Sequence, residues 1–135
     1  MLKLSIAKTT AAGLATFKAC PLSELHLTHG KVGEKELAAF QLENVVRLGF
    51  HRSSLDDGAW ARVLKCEQLT QLDVRQTELT DARLAQLSVL RGLKWLFVNE
   101  NGVSESAVRE LSARLPACRI KWDSGLIEPA GSDSQ

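Results

Sequence analysis

The sequence has no large excess of charge of either sign and no long apolar run. Its 135 residues include 17 Lys and Arg against 16 Asp and Glu, so the formal net charge is +1. This balance argues against a dedicated nucleic-acid-binding protein, because such proteins usually carry a strong basic excess. Since no stretch of about 18 apolar residues occurs, no membrane-spanning helix is predicted. We therefore expect neither a nucleic acid nor a membrane as partner.

Cysteine is also scarce. Cys20, Cys66 and Cys118 are the three cysteines, and no CxxC pair or Cys/His cluster occurs. The spacing indicates neither a zinc site nor a disulfide framework, and we expect the thiols to be buried apolar groups. Near the N-terminus, Lys3 and Lys8 interrupt the apolar residues, so no segment is typical of a secretory signal. We therefore expect a cytoplasmic protein.

The main pattern in the sequence is an internal repeat of 23 to 24 residues. Six apolar positions recur at this interval while the residues between them vary, which is typical of a repeat protein. The recurring positions are Leu93, Leu96, Val98, Val103, Val108 and Leu111; Leu69, Leu72, Val74, Leu79, Leu84 and Leu87; Val45, Leu48, Phe50, Leu55, Trp60 and Val63; Leu22, Leu25, Leu27, Val32, Leu37 and Phe40; and, in a partial unit, Leu2, Leu4, Leu14 and Phe17.

Each unit predicts a strand followed by a short helix. The segment Leu69-x-x-Leu72-x-Val74 ends in alternating apolar residues, as in a strand with one buried face. Residues 80–90 have apolar residues three apart, as in a short amphipathic helix. One unit cannot bury its own apolar stripe, so we expect stacked units with the strands in a parallel sheet and the helices outside. The candidate N-cap residues are Asp56, Thr80 or Asp81, and Ser104.

The strand segments resemble the LxxLxLxxN/T/C signature of leucine-rich repeats. The segment that starts at Leu69 ends the signature with Thr77, and the one that starts at Leu93 ends it with Asn101. The helical segments are similar to those of the ribonuclease-inhibitor-like subclass and its bacterial relatives, and residues 115–122 resemble the last strand of such arrays. The resemblance implies a right-handed horseshoe without catalytic activity that recognises another protein on its concave sheet.

The predicted architecture is therefore an α/β leucine-rich repeat solenoid, with the parallel sheet on the concave side and short helices on the convex side. Residues 1–123 form the predicted domain, with about five units of 23 to 24 residues and a closing strand. Gly30 and Ser53 replace the usual Asn or Thr of the signature, so we expect the first units to be less regular. Residues 124–135 are rich in Gly, Ser and acidic residues, and we expect a flexible tail.

Strand residues that alternate with the leucines are predicted to face the concave surface. Trp95 and Phe97 stand out, because exposed aromatic residues among polar ones are typical of a protein-binding hot spot. Three alternatives remain: the tail covers them, a neighbouring domain shields the sheet edge, or a tilted strand buries one. The predicted contact residues are Trp95, Phe97, Asp73, Arg75, Gln71, Arg47, His51, His26 and Asn99.

The predicted face divides into a cationic half with histidines and an aromatic half. This division would suit an acidic peptide or protein segment with an apolar anchor, while the alternative is an ordinary solvated polar face. His26 and His51 would lie on neighbouring strands, but no third ligand is evident, so no metal is predicted. A pH-sensitive contact surface is a further alternative.

No pattern indicates catalysis. Ser5, His26 and Asp73 would lie on strands that are not adjacent, so they form no triad. The segment Gly30-Lys31-Val32-Gly33 is too short for a phosphate-binding loop. We therefore expect no enzyme activity, no catalytic residue and no cofactor.

The alternative function is assembly. Residues 2–6 alternate apolar and polar side chains and would form an edge strand at the start of the first, partial unit. An unprotected edge strand invites pairing with another strand. This hypothesis predicts a homodimer through the N-terminal edge, whereas the binding hypothesis predicts a monomer.

Overall fold

A computed structural model describes residues 2–5, 23–38, 40 and 42–128 of the chain. In this part, short strands alternate with short helices. The elements are β1 (Leu2–Ser5), β2 (Glu24–Thr28), β3 (Gly30–Val32), α1 (Glu34–Ala38), β4 (Arg47–Gly49), β5 (Ser53–Leu55), α2 (Asp57–Val63), β6 (Gln71–Asp73), α3 (Asp81–Gln86), a 3₁₀ turn (Leu87–Val89), β7 (Trp95–Phe97), α4 (Glu105–Arg114), β8 (Arg119–Trp122) and β9 (Gly125–Ile127).

Seven of the strands form one sheet in the order β1-β2-β4-β6-β7-β8-β9. All neighbours in this sheet pair in parallel except β8 and β9, which pair antiparallel. Strands β3 and β5 form a separate parallel pair. The predicted α/β class with a mostly parallel sheet is therefore confirmed.

The pairing register follows the sequence repeat. Leu25 pairs with Leu48, Leu48 with Leu72, Leu72 with Leu96, and Leu96 with Ile120. Each step from strand to strand is therefore one step of 23 or 24 residues along the chain. Because the register is set by apolar positions, β2, β4, β6, β7 and β8 present the same phase to the core.

The core lies between the large sheet and the helices. Its members include the second leucines of the strands, which are at most 1% exposed, and side chains from every described helix. Full burial of such a side chain contributes about 1.5–3 kcal/mol, so the repeated leucines are the main source of stability. The helical contributors are Leu37, Ala59, Trp60, Val63, Leu84, Val108 and Leu111.

Three of the helices begin at the predicted caps. Asp56 accepts a hydrogen bond from the Ala59 amide, and Ser104 accepts one from the Ala107 amide. Of the two alternatives for α3, the cap is Thr80, which accepts from Arg83. Each such cap satisfies a free helix N–H and contributes about 1 kcal/mol.

A left-handed residue follows each of four strands of the large sheet. His29, Arg52, Gln76 and Glu100 occupy equivalent positions and have φ of 59°, 61°, 51° and 63°. Glycine is the usual residue for this conformation, and none of the four is glycine. These residues turn the chain sharply away from the strand, which determines where the side chains at the strand ends lie.

Ser53 stands where the repeat signature usually has Asn or Thr, and its side chain makes up for the missing residue. Its hydroxyl is buried and donates a 3.0 Å hydrogen bond to the Leu27 carbonyl. Asn101 makes the corresponding bond to the Val74 carbonyl at 2.7 Å. A short hydroxyl therefore replaces the asparagine amide in the unit that starts at Val45.

Two further expectations concern the cysteines and the tail. Cys66 and Cys118 are buried as predicted, and burial raises their pKa values to about 11 and about 12. Cys20 lies outside the described residues.

The expectation of a flexible tail from residue 124 is corrected for Gly125–Ile127, which pair with β8 as strand β9. In the part of the chain described, no helix has the length and apolar character needed to cross a membrane.

Candidate functional site

The candidate site is the surface of the large sheet that points away from the helices, which we call the outer strand face. Its residues alternate along each strand with the buried leucines, and the pairing register aligns them in rows across the sheet. One row is Glu24, Arg47, Gln71, Trp95 and Arg119, and the next is His26, Gly49, Asp73, Phe97 and Lys121.

Two aromatic rings lie together on the outer strand face. Trp95 and Phe97 lie two residues apart on β7, and their rings stack with 5.6 Å between centroids and 7° between planes. The guanidinium of Arg119 lies over the Trp95 ring at 5.1 Å, and that of Arg75 lies over the Phe97 ring at 5.6 Å. Arg119 on β8 and Arg75 in the turn after β6 thus flank the aromatic pair on both sides.

The expectation of exposed aromatics is corrected by this packing. Both Trp95 and Phe97 are half-buried, because the arginines cover part of each ring. The described part of the predicted tail does not cover them, since β9 pairs beside β8 in the plane of the sheet. Along β7, Leu96 is buried and the two aromatic residues on either side of it are half-buried, so neither aromatic is turned into the core.

Asp73 differs from its predicted role as an exposed contact. It is only 7% exposed, and both of its carboxylate oxygens accept hydrogen bonds from Arg75, at 2.9 Å and 2.7 Å. These hydrogen bonds are the main reason that the pKa of Arg75 is raised. Asp73 therefore positions Arg75 beside the Phe97 ring, and it is Arg75 that remains accessible.

The other half of the outer strand face carries a histidine–carboxylate pair. His26 Nε2 lies 2.9 Å from a Glu24 oxygen, and Arg47 lies 3.6 Å from the other oxygen. The hydrogen bond with His26 is the largest cause of the lowered pKa of Glu24. Gly49 is buried beneath the imidazole, and a Cβ there would overlap His26 Nδ1. Because glycine has no side chain, the histidine ring can occupy the space above Gly49.

The remaining predicted contact residues are spread along the face. Gln71 and His51 are half-buried, and Arg47 is exposed. Asn99 is half-buried, and its Oδ1 is buried without a hydrogen-bond partner among the described residues. The structure therefore brings Trp95, Phe97, Asp73 and Arg75 together in one cluster, whereas His26 and Arg47 lie in the separate group around Glu24.

Sequence reasoning missed the contribution of the C-terminal hairpin. Strand β9 places Leu126 opposite Lys121, and Arg119 forms a 2.9 Å ion pair with Glu128. The turn signal was present, because Asp-Ser-Gly at 123–125 separates two short apolar segments. We did not recognise this turn, because the composition of residues 124–135 favoured a flexible tail.

No metal-binding cluster is found among the residues for which the structure gives side chains. No group of three or more His, Cys, Asp or Glu side chains there has the geometry to hold a metal ion. His26 and Asp73 lie on β2 and β6, with β4 between them. The imidazole of His29 contacts the Thr28 hydroxyl at 2.9 Å.

No known family model matches the chain, and no curated protein matches its sequence. The candidate function therefore depends on the geometry of the outer strand face.

Proposed function

We propose that the chain is a leucine-rich repeat solenoid that binds a partner protein or peptide on the outer strand face, without catalysing a reaction. The sheet would lie on the concave side and the helices on the convex side. Support comes from the strand register, which advances by one sequence repeat per strand, and from the Asn101 hydrogen bonds between successive units. A face formed by many parallel strands offers an extended surface, which suits a macromolecular ligand.

The stack of Trp95 and Phe97 between Arg119 and Arg75 is the observation that carries the proposal. Tryptophan and arginine dominate the binding energy of many protein interfaces, and rings that are already fixed lose little entropy on binding. The half-buried rings lie beside polar residues of the same rows, which gives an apolar centre and a polar rim. This arrangement favours recognition of a protein surface over binding of a small molecule.

A pull-down with the full chain tests the proposal. The wild type and Trp95→Ala are compared as baits, with circular dichroism to confirm that the variant folds. We expect Trp95→Ala to lose the partner, because truncation of a central aromatic typically costs about 2 kcal/mol or more of binding energy.

Arg109→Ala provides the matched control. Arg109 is exposed on α4, and its one ion pair with a described residue is with Glu105 on the same helix, so its removal leaves the outer strand face unchanged. Retention of the same partners by Trp95→Ala, or their loss with Arg109→Ala, would contradict binding on this face.

Assembly through β1 is the second candidate. Within the described residues, β1 pairs with β2 and has no neighbour on its other side. An edge of this kind pairs readily with a second copy. Light scattering at several concentrations separates the two functions, since a mass that stays at 14.8 kDa contradicts the assembly.

A further inference from the structure

We propose that the partner segment bound next to Phe97 is an amphipathic helix with an acidic residue between two apolar residues, at positions i, i+4 and i+7. The inference rests on the proposed function and assigns the chemistry of the ligand at one end of the outer strand face. It is carried by three residues that lie side by side in one row: Phe97, Lys121 and Leu126.

Leu126 extends the apolar surface beyond the aromatic pair. It pairs with Lys121 across the antiparallel strands, and directly paired residues project from the same side of a sheet. Its neighbour Ile127 packs against the core, so the alternation along β9 directs Leu126 outward. Leu126 is 42% exposed, and Val89 is the other large apolar residue that is exposed in the described part of the chain.

Lys121 is the unpaired cation between these two apolar groups. It is exposed and forms no ion pair with any described residue, whereas Arg75 pairs with Asp73 and Arg119 pairs with Glu128. An unpaired ammonium flanked by apolar side chains favours a carboxylate on the partner, because a second cation or an apolar group would leave its charge uncompensated.

The spacing of the row matches a helix. Neighbouring strands are about 4.8 Å apart, so the backbones at Phe97 and Leu126 are about 10 Å apart with Lys121 midway. Seven residues of an α-helix rise about 10.5 Å, and residues at i, i+4 and i+7 share one face. A helix lying across the strands therefore places an apolar residue on Phe97, an acid on Lys121 and a second apolar residue on Leu126.

Selection from a display library of randomised 16-residue peptides, with the full-length chain as bait, tests this assignment. We expect the enriched sequences to carry Asp or Glu at the central position of the pattern and apolar residues at both ends. One enriched peptide is then synthesised, and its helicity on binding and its affinity are measured. Lys121→Glu is expected to weaken this affinity about tenfold, because an attraction becomes a repulsion.

A charge exchange provides the second measurement. A peptide with Lys in place of its central acid should bind Lys121→Glu better than it binds the wild type. Lys65→Glu is the matched control, since Lys65 is exposed just after α2 and carries the same charge change away from the sheet. Thermal unfolding monitored by circular dichroism verifies that both variants fold.

The outcomes separate the ligand chemistry from the proposed function. Some peptides could depend on Trp95 but lack the acidic residue, or could bind Lys121→Glu as well as the wild type. Either result would overturn the assignment of an acidic helix but not the binding of a partner on the outer strand face. Peptides that bind Trp95→Ala as well as the wild type, or no enriched peptide at all, overturn binding on the outer strand face as well.

Discussion

The side-chain amide of Asn101 donates a 2.7 Å hydrogen bond to the backbone carbonyl of Val74, one repeat earlier in the chain. Its oxygen accepts hydrogen bonds from the backbone amides of Thr77 and Leu79, at 2.9 Å and 3.0 Å. One side chain therefore satisfies three backbone groups of the preceding unit. Since buried backbone groups without partners are costly, this residue holds two units together at the point where the strand ends.

Replacement of Asn101 by alanine should destabilise the fold strongly. We expect a loss of about 2 to 4 kcal/mol, because the amides of Thr77 and Leu79 would lose their partner, whereas the Val74 carbonyl would still accept from the Thr77 hydroxyl. Asn99→Ala is the matched control, since the Asn99 oxygen is buried without a partner among the described residues and its removal should cost less than about 1 kcal/mol. Urea unfolding of both variants measures the difference, and equal losses would contradict the role assigned to Asn101.

The paired leucines of the strands make a second prediction. Leu72 and Leu96 are 0% exposed and pair directly between β6 and β7. Truncation of either residue to alanine should cost about 2 to 5 kcal/mol, because each leaves a cavity in the core. Gln71→Ala, on the half-buried outer side of β6, should change stability little. Unfolding midpoints unchanged by both leucine substitutions would show that the repeat register is wrong.

The sequence was sufficient to predict which residues face the core. Apolar spacing alone determines the phase of each strand, and the predicted outward residues Arg47, Gln71 and Trp95 pair with one another in a single row across the sheet. The helix starts were also predictable, because Ser, Thr and Asp at the N-cap satisfy local N–H groups whatever the tertiary context.

Side-chain arrangement on the outer strand face was not predictable in the same way. Asp73 has the outward phase, yet Arg75 on the adjoining turn covers it. Likewise, the pattern places Trp95 and Phe97 on one face but does not reveal that Arg119 on β8 and Arg75 in the turn after β6 stack on them. These features depend on rotamers and on cross-strand neighbours, which periodicity does not encode.

Gly49 makes a third prediction, which concerns the group around Glu24. An alanine at this position would place its Cβ against the imidazole of His26, with Cε1 at 3.0 Å, so the ring must move. Loss of the Glu24–His26 hydrogen bond should raise the pKa of Glu24 towards its ordinary value of 4.5, because that bond is the main cause of the lowering. Titration of the Glu24 carboxyl group by NMR measures the shift.

Gly92→Ala is the control for this experiment. A Cβ at Gly92 would lie 3.4 Å from its nearest neighbour, the Leu69 carbonyl oxygen, so the substitution should be tolerated without movement. The pKa of Glu24 should stay lowered in this variant. An unchanged Glu24 titration in Gly49→Ala would mean that the glycine does not determine the position of His26.

Asp81 makes the fourth prediction, on the dependence of stability on pH. Its two carboxylate oxygens accept hydrogen bonds from the Ser104 amide and hydroxyl, at 2.9 Å and 2.8 Å, which connects the starts of α3 and α4. The bond from the Ser104 amide is the largest cause of the lowered pKa of Asp81. Because the folded pKa is the lower one, the stabilisation is complete above the ordinary pKa of 3.8 and is lost as the pH falls through the folded pKa.

In Asp81→Asn, the free energy of unfolding should therefore fall less steeply as the pH is lowered into the acidic range. The asparagine keeps an acceptor for Ser104 but carries no charge, so the variant should be less stable than the wild type near neutral pH and approach it in strong acid. Glu110→Gln, which removes an exposed carboxylate from α4, should leave the shape of the profile unchanged. Urea unfolding over a series of acidic pH values makes the comparison, and parallel profiles for wild type and Asp81→Asn would rule out the contact as a source of the pH dependence.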